Sequence, residues 1–141
     1  MKKIEKDKKR YRNSKPPRFQ VLYRNLQDNN NPLFALVLRL LFSYHKRKNL
    51  IDLYYKTEIG PGLYIGHPYC ISINSQAKIG SNCNIHKGVT IGQENRGKRK
   101  GAPFIGNDVW IGVNSTIVGS ITTGKALFES RIHSLSNNNF I

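Results

Sequence analysis

The chain has 141 residues, 38% of them hydrophobic, and carries 23 Lys and Arg against 8 Asp and Glu, a net charge of +15. That length is one domain's worth of protein, able to bury a core, though a thin one. Two cysteines, Cys70 and Cys83, cannot build a disulfide framework and lack zinc-ligand spacing. They read as small buried apolar residues in a reducing compartment, and no metal site is expected.

The opening "MKKIEKDKKRYRNSKPPR" (1–18) holds much of the positive charge and reads as a basic, disordered, solvated arm ended by Pro16 and Pro17. No apolar stretch follows its charged start, so it is not a secretory signal, and a cytoplasmic location is the expectation. Neither this arm nor the later basic loop interleaves aromatic with basic residues. No helix-turn-helix, zinc-finger or RNP pattern is present, so nucleic acid is not an expected partner.

Residues 19–53 read as a helical segment. "FQVLYRNLQ" has apolar residues at near-helical spacing, "DNNNP" breaks it, and "LFALVLRLLFSYHKRKN" resumes with Asn31 and Pro32 at its start and a basic last turn. The second stretch is apolar almost all round, yet its uninterrupted run is far short of the roughly 20 residues a membrane span needs. A helix buried against the next element or a neighbouring subunit is the reading, rather than a membrane anchor.

From 54 to 124 the period is six. Ile59, Ile65, Ile71, Ala77, Cys83 and Val89 form one series, and Ile73, Ile79, Ile85 and Ile91 a second. After the basic loop "QENRGKRKG" (93–101) the double series restarts in a new phase, with Ile105, Ile111 and Ile117 in one row and Pro103, Val109, Ser115 and Ile121 in the other. A helix shows 3.6 and a half-buried strand 2, so a period of six with glycine following the aliphatic residue fits neither. It fits a β-solenoid, in which each hexapeptide is a short strand and a turn and stacking buries a continuous apolar column. In this phase His67 falls where the repeat calls for an aliphatic residue.

These residues resemble the hexapeptide-repeat acyltransferases. "TEIGPGLYIGHPYCISINSQAKIGSNCNIHKGVTIG" followed by "GKRKGAPFIGNDVWIGVNSTIVGSI" looks like the serine acetyltransferase group, over roughly residues 50–123. The resemblance implies a mainly β fold, a left-handed parallel β-helix preceded by a short α-helical segment. It also implies an acetyl-CoA-dependent O-acetyltransferase, assembled as a homotrimer, acting on a small hydroxyl acceptor, with serine leading, as in cysteine biosynthesis.

In that group a histidine in this segment is the catalytic base, and His67 matches it. An alcohol is a poor nucleophile at neutral pH, so a base must take its proton as it attacks the thioester carbonyl. A histidine, with an ordinary pKa of about 6.5, is suited to accept that proton and pass it to the departing thiolate. The base needs an orienting group, and Asp52 and Glu58 are the nearby carboxylates. The family's coil is about 18 residues, so Asp52, fifteen residues before His67, should lie nearly beneath it. Glu58, nine before, should lie on the far side. "LIDLYY" also resembles the family's segment carrying the carboxylate partner, which favours Asp52.

The loop at 93–101 matches an arm that helps close the family's site. Lys98 and Arg99 are its candidates for the CoA phosphates, with Gly112 a further cofactor-binding candidate. His86 should point outward, in a surface or loop-packing role. Two departures bear on the acceptor: Gly66 stands where the family has aspartate, and Ala102 where it has a second histidine. A sugar hydroxyl in surface-polysaccharide modification is therefore the rival acceptor. Residues 125–141, "KALFESRIHSLSNNNFI", lose the hexapeptide phase and are either a terminal cap or a truncation or frameshift product, the latter leaving an inactive solenoid.

Overall fold

In the computed structural model the described residues are 1–124, together with the backbone of Leu127 and Phe128. The expectations placed on the remainder of the tail lie outside them. Among the described residues three helices precede twelve short strands: α1 (Lys3–Arg10), α2 (Arg18–Asp28) and α3 (Pro32–Lys48). Asn31 caps α3, its side-chain oxygen accepting from Leu33 N and Phe34 N, with Pro32 at the first helical position.

The strands form three parallel sheets, each with one strand from every turn of the solenoid. The first sheet holds β1 (Ile51–Leu53), β4 (Ile71–Ile73), β7 (Thr90–Gly92) and β10 (Thr116–Val118). The second holds β2 (Glu58–Ile59), β5 (Lys78–Ile79), β8 (Phe104–Ile105) and β11 (Thr122–Thr123). The third holds β3 (Tyr64–Gly66), β6 (Asn84–His86), β9 (Trp110–Ile111) and β12 (Leu127–Phe128). This is a parallel β-helix, and it begins at Ile51, a little earlier than the repeat suggested.

The pairing corrects the phase read from sequence. Ile59 pairs with Ile79 and Ile65 with Ile85, so both belong to the column of Ile73 and Ile91 and not to that of Ile71. The first coil is therefore 20 residues, from Ile51 to Ile71, whereas Ile73 to Ile91 is 18. The surplus lies at the corner between β3 and β4. A second enlargement separates Ile79 from Ile105 by 26 residues, and it is the basic loop. Two unbroken buried columns result, one running Leu53, Ile59, Ile65, Ile73, Ile79, Ile85, Ile91, Ile105, Ile111, Ile117 and the other through Leu63, Ile71, Ala77, Cys83, Val89 and Val109.

Glycine follows the aliphatic residue because successive coils approach too closely there for a side chain. A Cβ on Gly80 would sit 2.5 Å from the Gly106 carbonyl oxygen. Backbone cannot swing aside, so Gly80→Ala is expected to destabilise by about 1–3 kcal/mol, read as a lowered denaturant midpoint. Gly66→Ala should cost much less, because the atoms 2.6 Å from its Cβ belong to the His86 ring, which can turn. Equal losses would mean that contact with backbone does not govern these sites.

The helices close the open end of the first coil. Phe19, Tyr23, Leu26, Leu38 and Phe42 join the same apolar cluster as the columns. Contrary to the sequence expectation, residues 1–18 are not a disordered arm. The helix α1 is seated on the solenoid through Ile4 and Asp7, with Tyr11 just beyond it, all buried. Asp7 Oδ1 accepts from Gly62 N (2.8 Å) and Leu63 N (2.9 Å), while Asp7 Oδ2 accepts from Arg24 Nε (2.8 Å) and Gln20 Nε2 (3.0 Å). Arg24 donates onward to the Ile59 and Gly60 carbonyls. One fully buried ion pair thus ties α1 and α2 to the first coil. By contrast, α3 buries only Leu38 and Phe42 and leaves Leu33, Val37, Leu40 and Tyr44 exposed on its opposite face.

Candidate functional site

The corner His67-Pro68-Tyr69-Cys70 joins β3 to β4, where the longer first coil bulges. His67 and Cys70 both have left-handed backbone, with φ of 54° and 53°, which non-glycine residues seldom adopt. Asn49, at the end of α3, holds the bulge: its side-chain amide donates to Pro68 O (2.9 Å) and its carbonyl accepts from Cys70 N (3.1 Å). Gly88 N donates to Tyr69 O from the coil above.

His67 is consequently exposed and does not occupy an aliphatic position of the column. The inward place that the six-residue count assigned to it is filled by Ile65 and Ile73 on either side of the bulge. Cys70 is exposed as well, unlike Cys83, whose thiol burial pushes its pKa up.

His86 lies on the outward side of its strand, as alternation predicts, but the sequence did not reveal what its ring meets there. It ends β6 in register with Gly66, and its ring lies over the space that a residue-66 side chain would take. The ring stacks 4.9 Å from Trp110 and 6.4 Å from Tyr64, and its Nε2 is buried without a hydrogen-bond partner. Burial lowers its pKa, and His67 lies close enough to lower it further. The structure therefore sets beside the exposed imidazole a second one whose charged form is disfavoured. Gly112 follows Ile111, the partner of Ile85, and so belongs to the same corner column as Gly66 and His86.

Asp52 lies in β1, within the same coil as His67 and not one coil beneath it. The residue stacked on Asp52 is Ser72, whose Oγ donates to Asp52 Oδ2 at 3.5 Å. The 20-residue first coil is the physical reason that the one-coil offset fails. Glu58 is on the second sheet, paired with Lys78 at 3.4 Å.

Lys98 and Arg99 belong to a loop at a different corner, between the first and second sheets. An antiparallel bridge between Glu94 and Gly101 closes that loop, Arg99 Nε pairs with Glu94 Oε2 at 3.3 Å, and Ser120 N donates to Arg99 O. Within the chain the loop cations and His67 occupy different corners and are not brought together. Among the described residues no group of three His, Cys, Asp or Glu is placed to hold a metal ion, and no helix is long and apolar enough to cross a membrane.

No family model matches the chain. It is 31% identical over 91 residues to the serine acetyltransferase of Helicobacter pylori, an alignment covering 64% of this chain and 53% of that one. Among solved structures, the Neisseria gonorrhoeae serine acetyltransferase in complex with serine superposes with a TM-score of 0.66 at 24% identity, covering 92% of this chain and 59% of that one. A serine acetyltransferase in complex with CoA superposes at 0.54 with 25% identity, covering 76% and 42%. The chain thus spans about half the length of the curated relative it matches first. In sequence and in fold it is similar to the serine acetyltransferases, and the left-handed parallel β-helix is their architecture.

Proposed function

We propose, from this likeness, that the chain is an acetyl-CoA-dependent O-acetyltransferase with His67 as its general base. The observation that carries the reading is the bulged, tethered corner: two residues in left-handed backbone, held by Asn49, present an imidazole to solvent where the stack itself needs only a short turn.

In the reaction the acceptor hydroxyl oxygen attacks the thioester carbonyl carbon while His67 takes the hydroxyl proton. Collapse of the tetrahedral intermediate breaks the carbon–sulfur bond, and the departing thiolate receives the proton held on His67, leaving an O-acetyl ester and free CoA. Burial disfavours the charged form of His86, which lessens its opposition to a transient imidazolium at His67.

Asp52 is the proposed orienting carboxylate, since β1 lies directly under β4, the strand into which the His67 corner leads. Glu58 already faces Lys78 on another sheet. Asp52→Asn should therefore reduce kcat more than Glu58→Gln does; the reverse order would remove Asp52 from the site.

Serine is the first acceptor to test, because relatives of this chain are serine acetyltransferases and one is solved with serine bound. Lys98, Arg99 and Gly112 are proposed contacts for CoA. Because the loop and His67 occupy different corners, the proposal places them together across subunits of a homotrimer. A cytoplasmic location, where acetyl-CoA is at hand, is part of the same reading. Release of free CoA thiol on adding serine to protein and acetyl-CoA tests it; no thiol release with serine or with sugar acceptors would defeat it.

A further inference from the structure

The His67 corner forms one wall of a cavity of about 680 Å³, whose other wall is the helical segment. Lys15 and Arg18, from the α1–α2 connection and the start of α2, line it together with His45 and Lys48 from the last turn of α3. None of its lining residues is Asp or Glu. The three ion pairs among the described residues engage other cations, Arg24, Lys78 and Arg99. Three permanent positive charges therefore face one space with no carboxylate among them, which creates a positive potential focused by the low-dielectric walls. Tyr64 and Tyr69 add ring surface beside His67.

We propose that this cavity is the acceptor's anion subsite: it holds an oxyanion carried by the hydroxyl acceptor, so that the hydroxyl meets His67. The inference rests on the reading of His67 as the base. A base must lie within hydrogen-bond reach of the proton it removes, so a cavity that His67 itself lines is a place for the acceptor, with the thioester approaching from outside. Lys and Arg recognise carboxylate and phosphate oxygens alike. The volume falls in the range of about 300–1,000 Å³ typical of small-molecule sites, and admits either serine or a phosphorylated sugar. The shared chemistry is a hydroxyl compound bearing a carboxylate or a phosphate.

Calorimetric titration of the full chain with two matched pairs tests the assignment: L-serine against serinol, and glucose 6-phosphate against glucose. At least one member bearing the carboxylate or phosphate should bind tenfold or more tightly than its counterpart lacking that group, with an advantage that shrinks as salt rises. The pair that shows it identifies carboxylate or phosphate as the source. The double variant Lys15→Gln, Arg18→Gln should lose that advantage while keeping the wild-type melting temperature, and Lys78→Gln, on the second sheet and outside the cavity, should retain it. The proposal is overturned if neither the carboxylate nor the phosphate compound outbinds its counterpart lacking that group, if the advantage survives the double variant, or if CoA displaces the bound compound. Binding needs no turnover, so a chain that selects anions but never acetylates them would defeat the catalytic reading and leave the subsite standing. One that acetylates without selecting anions would do the opposite.

Discussion

Replacing His67 with Ala is expected to lower turnover by roughly two to four orders of magnitude, the range for loss of a general base, without loosening the fold. The second half of that expectation comes from burial: the imidazole is exposed, and the columns beside it are completed by Ile65 and Ile73. Thiol release at saturating acetyl-CoA measures the first part, and the denaturant midpoint the second. A variant that keeps within threefold of wild-type turnover, with its midpoint unchanged, would take His67 out of the chemistry.

Asp7→Ala is expected to produce the largest loss of stability, about 3–5 kcal/mol, because it strands a buried guanidinium. Arg24 and Asp7 are both fully buried. Removing the carboxylate also leaves the Gly62 and Leu63 amides without the acceptor they use. Arg24 would keep only its bonds to main-chain carbonyls and to Gln27. Urea denaturation of the full chain gives the number. The exposed Glu58–Lys78 pair is the control, and Glu58→Ala should shift the midpoint very little. If Asp7→Ala cost no more than that control, α1 would not be fastened as described.

The solenoid was legible because its period of six is unlike any helix or strand, and most positions of the column carry isoleucine. The same uniformity concealed the bulge. Ile65 and Ile71 are six apart and both aliphatic, so counting passed through the corner without registering that only Ile73 continues the column of Ile65. From that slip came two errors, an inward place for His67 and a one-coil offset for Asp52. Residue choice still pointed to His67, since a histidine stood in an apolar series, but its exposure follows from pairing, which no local pattern contains.

The first helix was missed for a different reason. Its seven charged residues among eight outweigh Ile4 in any composition measure, and Asp7 reads as surface until Arg24 is seen to face it across 17 residues of chain. His86 was placed outward correctly by alternation. Its stacking on Trp110 and its position over Gly66 depend on coils 20 and 26 residues away in sequence.

Both enlargements of the solenoid, at 67–70 and at 93–101, fall at corners, adding two residues to the first coil and eight to the third, between β7 and β8. An insertion confined to a corner leaves the pairing register of the strands after it unchanged, so inward positions stay inward. The architecture therefore separates heritable variation into two kinds. Strand positions are answerable to the coils above and below and drift only among residues of similar bulk, whereas corners can lengthen and acquire new chemistry without renegotiating the interior. A lineage of such proteins can change what it acts on by rewriting a handful of corner residues while its scaffold stays still.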